Sequence, residues 1–246
     1  MGTKYRMTDE TIKVNGKTLH RIEAIADIPD ANVKKGDKGG FIKSEENLSQ
    51  EGDCWVSDNA KVFDNARVAD NARVFGYAEV FDNAQVFGYA EVFDNAHVCG
   101  NAQVYDNVRV SYAACIFGDA VVSGSVHVYG KARVFGNAWV DGNAEVYGHA
   151  KVCDNAWVDG GAWVTGNARI CECSRVSGAW VAGKAHVYGR AQVADKAEVY
   201  ENASVSGDAV VSGKARVSGN AVVSGNAWVS GDAVVSGTTK LSGESA

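Results

Sequence analysis

The sequence contains almost no leucine, and this scarcity excludes whole fold classes. Its 246 residues include three leucines, two methionines and one proline, against more than thirty valines. Helical bundles and ordinary α/β enzymes build their helices from leucine and other straight-chain residues, so neither class fits. Valine is stiff at χ1 and fits the pleated surface of a sheet. The composition therefore predicts an all-β protein.

Long apolar segments and a surplus of basic residues are also missing. No run of about eighteen apolar residues occurs, which predicts no membrane span. The first twenty residues lack the apolar stretch of a signal peptide. We therefore expect a cytoplasmic protein whose six cysteines are free thiols. The net charge of −6, with both signs interspersed, argues against nucleic acid as a partner.

A six-residue repeat covers most of the chain. An aliphatic residue recurs every six positions from Val56 to Val176, and after the loss of one residue the series resumes at Val181 and runs to Leu241. Almost all of these positions are valine, and alanine usually stands two residues earlier. Such a fixed period indicates a repeat architecture rather than a conventional globular fold.

Each repeat unit has the pattern of a short strand followed by a corner. In Ala-x-Val-x, alanine and valine share one face because side chains alternate along a strand. The remaining pair is usually Asp-Asn, Gly-Asn or a similar pair, whose members tolerate positive φ or bond their own backbone. Identical sides of six residues predict a coil whose parallel strands stack on one another around a narrow interior.

The repeat resembles the hexapeptide unit of left-handed parallel β-helices. That resemblance implies three hexads, or eighteen residues, in each coil and about eleven coils stacked ~4.8 Å apart. The segment at residues 39–56 (GGFIKSEENLSQEGDCWV) resembles the start of the solenoid in bacterial and prophage β-helix proteins of the YdcK type. Those proteins are grouped with acyltransferases through their fold.

The N-terminal segment differs from the repeat. Asn15-Gly16 lies between two alternating stretches and predicts a β-hairpin. Because the first coil of a solenoid exposes an unpaired edge, a terminal cap is needed. We predict a hairpin cap over residues 1–53 and the β-helix over residues 54–246.

Stacking at eighteen-residue intervals predicts columns of outward side chains. One column contains Phe63, Phe81, Cys99, Phe117, Phe135, Cys153, Cys171 and Tyr188. It is consistent with aromatic stacking that stabilises the sheet and equally with an exposed interface.

A Trp-Val-Asp-Gly motif also occurs twice, one coil apart, with Trp163 and Trp180 nearby; it indicates either recognition or simple repeat duplication. The predicted interface residues are Phe63, Phe81, Phe117, Phe135, Trp139, Asp141, Trp157 and Asp159.

The histidines test the enzymatic interpretation. Hexapeptide acyltransferases bind acyl-CoA between neighbouring β-helices and use a histidine as general base. The candidate here is His149, at a corner, while His97, His127 and His186 occupy outward strand positions. The hexads contain no inserted loop that would build a site around any of them.

We therefore favour a non-catalytic protein-binding or scaffold module, of phage or prophage type, that engages a host protein without a cofactor. The alternative is an acyltransferase that uses acetyl-CoA at a site between subunits.

Cys153, Cys171 and Cys173 form the only cysteine cluster. The first two should stack with Cα atoms about 4.8 Å apart, inside the range for a disulfide, but we expect free thiols. Four ligands with zinc spacing are missing, which predicts no metal site.

The chain finishes at Ala246 without a capping element, so we expect the last coil to dock on another copy, fray or meet a partner.

Overall fold

The computed structural model describes residues 3–243, which divide into two compact units, Met1–Ser123 and Gly124–Ala246. The described part contains no α-helix, only one 3₁₀ turn at Glu45–Asn47. No helix in it has the length and apolar character needed to cross a membrane. The predicted all-β parallel solenoid of about eleven turns is confirmed.

The first unit consists of a hairpin, a connecting strand and four coils of short strands. Its strands are β1 Tyr5–Val14, β2 Lys17–Ala24, β3 Lys38–Ile42, β4 Trp55–Val56, β5 Lys61–Val62, β6 Arg67–Val68, β7 Arg73–Val74, β8 Glu79–Val80, β9 Gln85–Val86, β10 Glu91–Val92, β11 His97–Val98, β12 Gln103–Val104, β13 Arg109–Val110, β14 Cys115–Ile116 and β15 Val121–Val122. They form a first sheet, β1-β2-β3-β5-β8-β11-β14, a second, β6-β9-β12-β15, and a third, β4-β7-β10-β13.

The second unit contains coils alone. Its strands are β16 His127–Val128, β17 Arg133–Val134, β18 Trp139–Val140, β19 Glu145–Val146, β20 Lys151–Val152, β21 Trp157–Asp159, β22 Trp163–Val164, β23 Arg169–Ile170, β24 Arg175–Ser177, β25 Trp180–Val181, β26 His186–Val187, β27 Gln192–Ala194, β28 Glu198–Val199, β29 Ser204–Val205, β30 Val210–Val211, β31 Arg216–Val217, β32 Val222–Gly225, β33 Trp228–Val229, β34 Val234–Val235 and β35 Lys240–Gly243. Its first sheet is β17-β20-β23-β26-β29-β32-β35, its second β18-β21-β24-β27-β30-β33, and its third β16-β19-β22-β25-β28-β31-β34.

Register within each unit follows the hexads. Strands pair in parallel with partners eighteen residues away, as in Val62 with Val80 and Val134 with Val152. The repeated alanines and valines fill the interior, and nearly all of them have no exposed surface. Alanine keeps the coil narrow, and valine supplies most of the apolar area removed from water.

Corners need a left-handed backbone, which two kinds of residue supply. Gly100 has φ +71°, and a Cβ on it would lie 2.8 Å from the backbone nitrogen of Gly118 on the next coil. Asp82 has φ +60°, and its Oδ2 accepts the N–H of Gly100 at 3.1 Å. The Asp82 carboxylate thus forms a hydrogen bond between coils, which offsets part of the free-energy cost of its left-handed φ.

One coil of the second unit is a residue short. Trp163 pairs with Trp180 and Arg169 with His186, both seventeen residues apart. The missing residue falls at the corner between β24 and β25, where the N–H of Gly178 bonds the carbonyl of Asp159 at 3.2 Å. The short corner keeps the inward valines aligned, so the loss is absorbed without interrupting the sheets.

The predicted hairpin is present as β1 and β2, and β3 connects it to the solenoid. Strand β3 pairs antiparallel with β2 and parallel with β5. Lys4 is 7% exposed and donates to the carbonyl of Gly52 at 2.9 Å and to Sγ of Cys54 at 3.2 Å. Leu19 and Phe41 bury Phe63 to 1% exposure.

Candidate functional site

Four exposed tryptophans surround one corner of the second unit. Trp139 and Trp157 lie on its second sheet, and Trp163 and Trp180 on its third, on either side of the corner that follows β18, β21 and β24. Each stands directly before an inward valine, so strand alternation turns its ring outward. Their exposed fractions are 40%, 40%, 50% and 39%. We call these four residues the tryptophan corner.

Sheet register holds the rings in place. Trp139 and Trp157 face each other across β18 and β21, and their rings stack at 5.3 Å with an interplanar angle of 11°. The Arg175 guanidinium lies 4.9 Å from the ring centre of Trp157, a cation–π contact. Its Nη2 also bonds Oδ2 of Asp159 at 2.6 Å. Trp180 stacks on Tyr200 at 5.9 Å, so three of the four rings have a fixed aromatic or cationic neighbour.

The corner itself is shallow and partly polar. A depression of about 370 Å³ is lined by Trp163 and Trp180 and by Gly161 and Gly178, which have no side chains. Lys196 and Glu198 also line it. A Cβ on Gly161 would meet nothing within 4 Å. The depression is therefore open to a partner's side chain.

The two predicted aspartates differ in their contacts. Oδ1 of Asp159 is buried and has no hydrogen-bond partner within residues 3–243. Oδ1 of Asp141 accepts the N–H of Gly142 at 2.6 Å. Asp159 thus couples the corner to Arg175, whereas Asp141 supports its own turn.

The predicted column of phenylalanines is less exposed than its outward position suggests. Phe63 stacks on Phe81 at 5.1 Å but is covered by the hairpin, so it contributes nothing to an exposed face of this chain. Phe117, in the first unit, and Phe135, in the second, are half-buried. The Arg133 guanidinium lies 5.5 Å from the ring centre of Phe135. Of the two interpretations, stacking that stabilises the sheet describes the pair Phe63–Phe81, and the interface remains a prediction.

The solenoid histidines lie apart. His97 is in the first unit, where its Nδ1 is 3.9 Å from Glu79 and its ring meets Phe81 edge-on. His127 lies on the third sheet of the second unit and His186 on the first. His149 is an exposed corner residue, and its imidazole has no hydrogen-bond partner among the described residues. A general base needs such an orienting partner, so nothing in the described chain orients His149 for that role.

The expectation that all six cysteines are free thiols is wrong for two of them. Cys153 and Cys171 form a disulfide between β20 and β23, with Cα atoms 4.7 Å apart. The hexad spacing brings them together, because register places residues eighteen apart side by side. Asp154 lies close to both sulfurs, but a disulfide offers no thiolate to a metal, and Oδ2 of Asp154 accepts the N–H of Glu172 at 3.1 Å.

Comparison with known proteins supports the fold rather than an activity. Residues 215–231 match a family model described as the YdcK β-solenoid repeat. The match and the fold fit a YdcK-like β-helix protein. No curated protein matches the chain. The repeat nature is thereby established, and the role of the tryptophan corner has to be argued from its own chemistry.

Sequence reasoning named all four tryptophans of this corner but placed only two of them in the predicted interface. Trp139 and Trp157 stand eighteen residues apart and were identified by that spacing, together with Asp141 and Asp159. Arg175 also stands eighteen residues after Trp157 and pairs with it in register, so the same spacing could have found it. Trp163 and Trp180 pair at seventeen residues, which a strict eighteen-residue column misses. The one-residue deletion was the signal that could have placed them.

Proposed function

We propose that this β-solenoid is a non-catalytic scaffold that binds a partner protein through the tryptophan corner. The observation that carries the proposal is the exposure of four tryptophans around one corner. Together they present on the order of 400 Å² of aromatic surface, as large as the patches that mark interaction sites. Tryptophan is also the side chain most enriched where binding energy concentrates.

The arrangement suits binding better than chemistry. Arg175 and the stack fix the ring orientations before a partner arrives, which lowers the entropy lost on association. Around the depression, Lys196 and Glu198 supply the polar rim typical of interfaces. Acyltransferase activity with acetyl-CoA stays a prediction from the resemblance, because no contact of His149 favours it.

The proposal also covers setting and assembly. The partner is a host protein in the cytoplasm, bound by a phage or prophage product; the resemblance of residues 39–56 to the start of prophage β-helices supports this origin. A reducing cytoplasm would compete with the Cys153–Cys171 disulfide. Self-association through the last coil remains part of the proposal, although residues 244–246 lie outside the described residues. No nucleic acid, membrane or cofactor takes part in it.

A photo-cross-linking residue at the corner tests the proposal in cells. Gly161 is replaced in one variant and Asp232, at the equivalent corner position four coils later, in a control variant. We expect the variant at position 161 to give one dominant protein adduct, and the variant at position 232 not to give that adduct. Binding of the purified adduct partner should then be lost in Trp163→Ser/Trp180→Ser and kept in Trp228→Ser, which removes a tryptophan that is 75% exposed elsewhere.

Two results would overturn the proposal. Adducts that are the same at both positions would show that the corner has no specific partner. Saturable binding of acetyl-CoA in a calorimeter, lost in His149→Ala, would instead support the acyltransferase.

A further inference from the structure

A column of basic side chains runs along the first sheet of the second unit. The residue before the inward aliphatic is Arg133 on β17, Lys151 on β20, Arg169 on β23 and His186 on β26, and each pairs in register with the next. The 4.7 Å between the Cα atoms of Cys153 and Cys171 gives the spacing of neighbouring coils on this sheet. We call these four residues the basic column.

Further nitrogen-bearing side chains border this column. Lys131, His149 and Lys184 each stand two residues before a column member, and all three are exposed. Strand alternation places residues two apart on the same side of the chain. A protein with a net charge of −6 thus concentrates basic groups on one sheet of one unit.

Elsewhere, several basic residues at the equivalent strand position form an ion pair with an acid on a neighbouring coil. The ion pairs are Lys61–Glu79 at 2.7 Å, Arg109–Glu91 at 3.1 Å and Arg216–Glu198 at 3.0 Å. Within residues 3–243, by contrast, no ion pair includes Lys151, Arg169 or His186. The acids at the adjoining corner, Asp154 and Glu172, accept backbone N–H groups of the following coil.

Stacked like charges cost stability, and the column shows that cost. Like charges directly opposite each other on paired strands are destabilising. Burial lowers the pKa of His186 below its usual value, and the positive charge of Arg169 lowers it further. An anionic ligand along the column would remove this repulsion.

We propose that the basic column docks an acidic amphipathic α-helix of a partner protein, laid parallel to the solenoid axis. Three intervals of the column span about 14 Å. A helix with one carboxylate per turn repeats at about 5.4 Å and covers about 16 Å over the same three intervals. An extended strand, with same-face side chains about 6.7 Å apart, covers about 20 Å. The helix repeat is therefore the closer match to the spacing of the column.

The neighbouring column favours a helix over a simple polyanion. Phe135, the Cys153–Cys171 disulfide and Tyr188 form a second column directly after the same strands, two residues beyond the basic column, and Tyr188 is 39% exposed. An acidic helix can place carboxylates over the basic column and apolar side chains over this strip. Polyphosphate and double-stranded DNA offer charge without the apolar face.

The basic column is independent of the tryptophan corner. The corner joins the second and third sheets, whereas the column lies on the first. A scaffold that bridges two partners requires such separate surfaces, yet either surface could bind if the other did not.

Fluorescence anisotropy on the full chain tests the proposal. The probe is a labelled helical peptide of about 20 residues with one glutamate per turn beside a leucine stripe. We expect saturable binding that weakens with salt. Lys151→Glu/Arg169→Glu should weaken it by about tenfold or more. Lys13→Glu/Lys35→Glu, at two exposed lysines of the first unit and with the same change in net charge, should leave it within about twofold. Circular dichroism establishes that both variants are folded.

Three results would overturn the proposal. The first is equal affinity for the same peptide with central prolines, which cannot form the helix. The second is equal or tighter binding of single-stranded DNA or polyphosphate at the same residues, which would mark a general anion site. The third is binding that the charge reversals at Lys151 and Arg169 leave unchanged.

Discussion

At the scale of single residues, local environment separates the cysteines into distinct chemical states. Cys153 and Cys171 are joined, Cys173 is exposed, and Cys99 is half-buried. Burial raises the pKa of Cys99 to about 11, with further contributions from Asp82 and Cys115. At pH 8 about one Cys99 thiol in a thousand is therefore ionised, and thiolate is the reactive form.

This difference predicts an order of alkylation. With iodoacetamide at pH 8 and no reductant, we expect label on Cys173 within the time in which Cys99 stays unmodified, because Cys173 is accessible and Cys99 is largely protonated. Raising the pH towards 11 should bring Cys99 into reaction. Peptide mapping by mass spectrometry measures both, and a linked Cys153–Cys171 peptide should disappear on reduction. Early labelling of Cys153 without reductant would contradict the pairing.

Residue environments were only partly predictable from the sequence. The eighteen-residue period placed Cys153 beside Cys171 at nearly the spacing that the structure shows, but the thiol state was inferred from compartment and was wrong. Phe63 was placed outward, as its position requires, yet the hairpin covers it. That contact joins distant parts of the chain, which a local period cannot reveal.

At the scale of elements, the corners carry bonds that the strands alone do not supply. Asp82 holds φ +60° and accepts the N–H of Gly100. We expect Asp82→Ala to lower the free energy of unfolding by about 1–2 kcal/mol, because alanine keeps the strained φ and loses the acceptor. Asp82→Asn keeps an acceptor oxygen and a residue type that tolerates this φ, so it should cost less. Urea denaturation followed by circular dichroism compares them, and equal losses would refute a role for the acceptor.

The elements were the most predictable level of this molecule. Strand positions, inward residues and register all follow from one period, because a stacked coil repeats the same local requirements at every turn. The exception is the coil that lost a residue at Gly178, where pairs form at seventeen. A fixed spacing of eighteen therefore failed at the place where Trp163 and Trp180 complete the tryptophan corner.

At the scale of the whole molecule, fold and surface are specified separately. Valine, alanine and corner residues recur in nearly every hexad. Tryptophans and basic residues, by contrast, align only where the number of residues between them equals one coil. The fold could therefore be predicted and the function could not, since one solenoid supports many surfaces. The two candidate surfaces depend on register, which permits a deletion that divides each of them and spares the core.

Deleting residues 143–148 is that test. The cut removes one hexad and leaves Ala150 and Val152 in the repeat pattern. The core should therefore re-form with every later strand moved back by one sheet, so that β20 takes the place of β19. Trp139 and Trp157 would then stand twelve residues apart on different sheets, while Cys153 and Cys171 would keep their spacing and their disulfide. Deleting residues 205–210 is the matched control, because it removes a hexad beyond both candidate surfaces. We expect both variants to keep the β-sheet circular dichroism and a cooperative melt. Only the first should bind the corner's cross-linked partner and the acidic helical peptide more weakly, because it separates Trp139 from Trp157 and Arg133 from Lys151 and leaves the rest of each surface in register. Unfolding of the first variant alone would show that coil-specific contacts, rather than the hexad repeat, hold this part of the solenoid together.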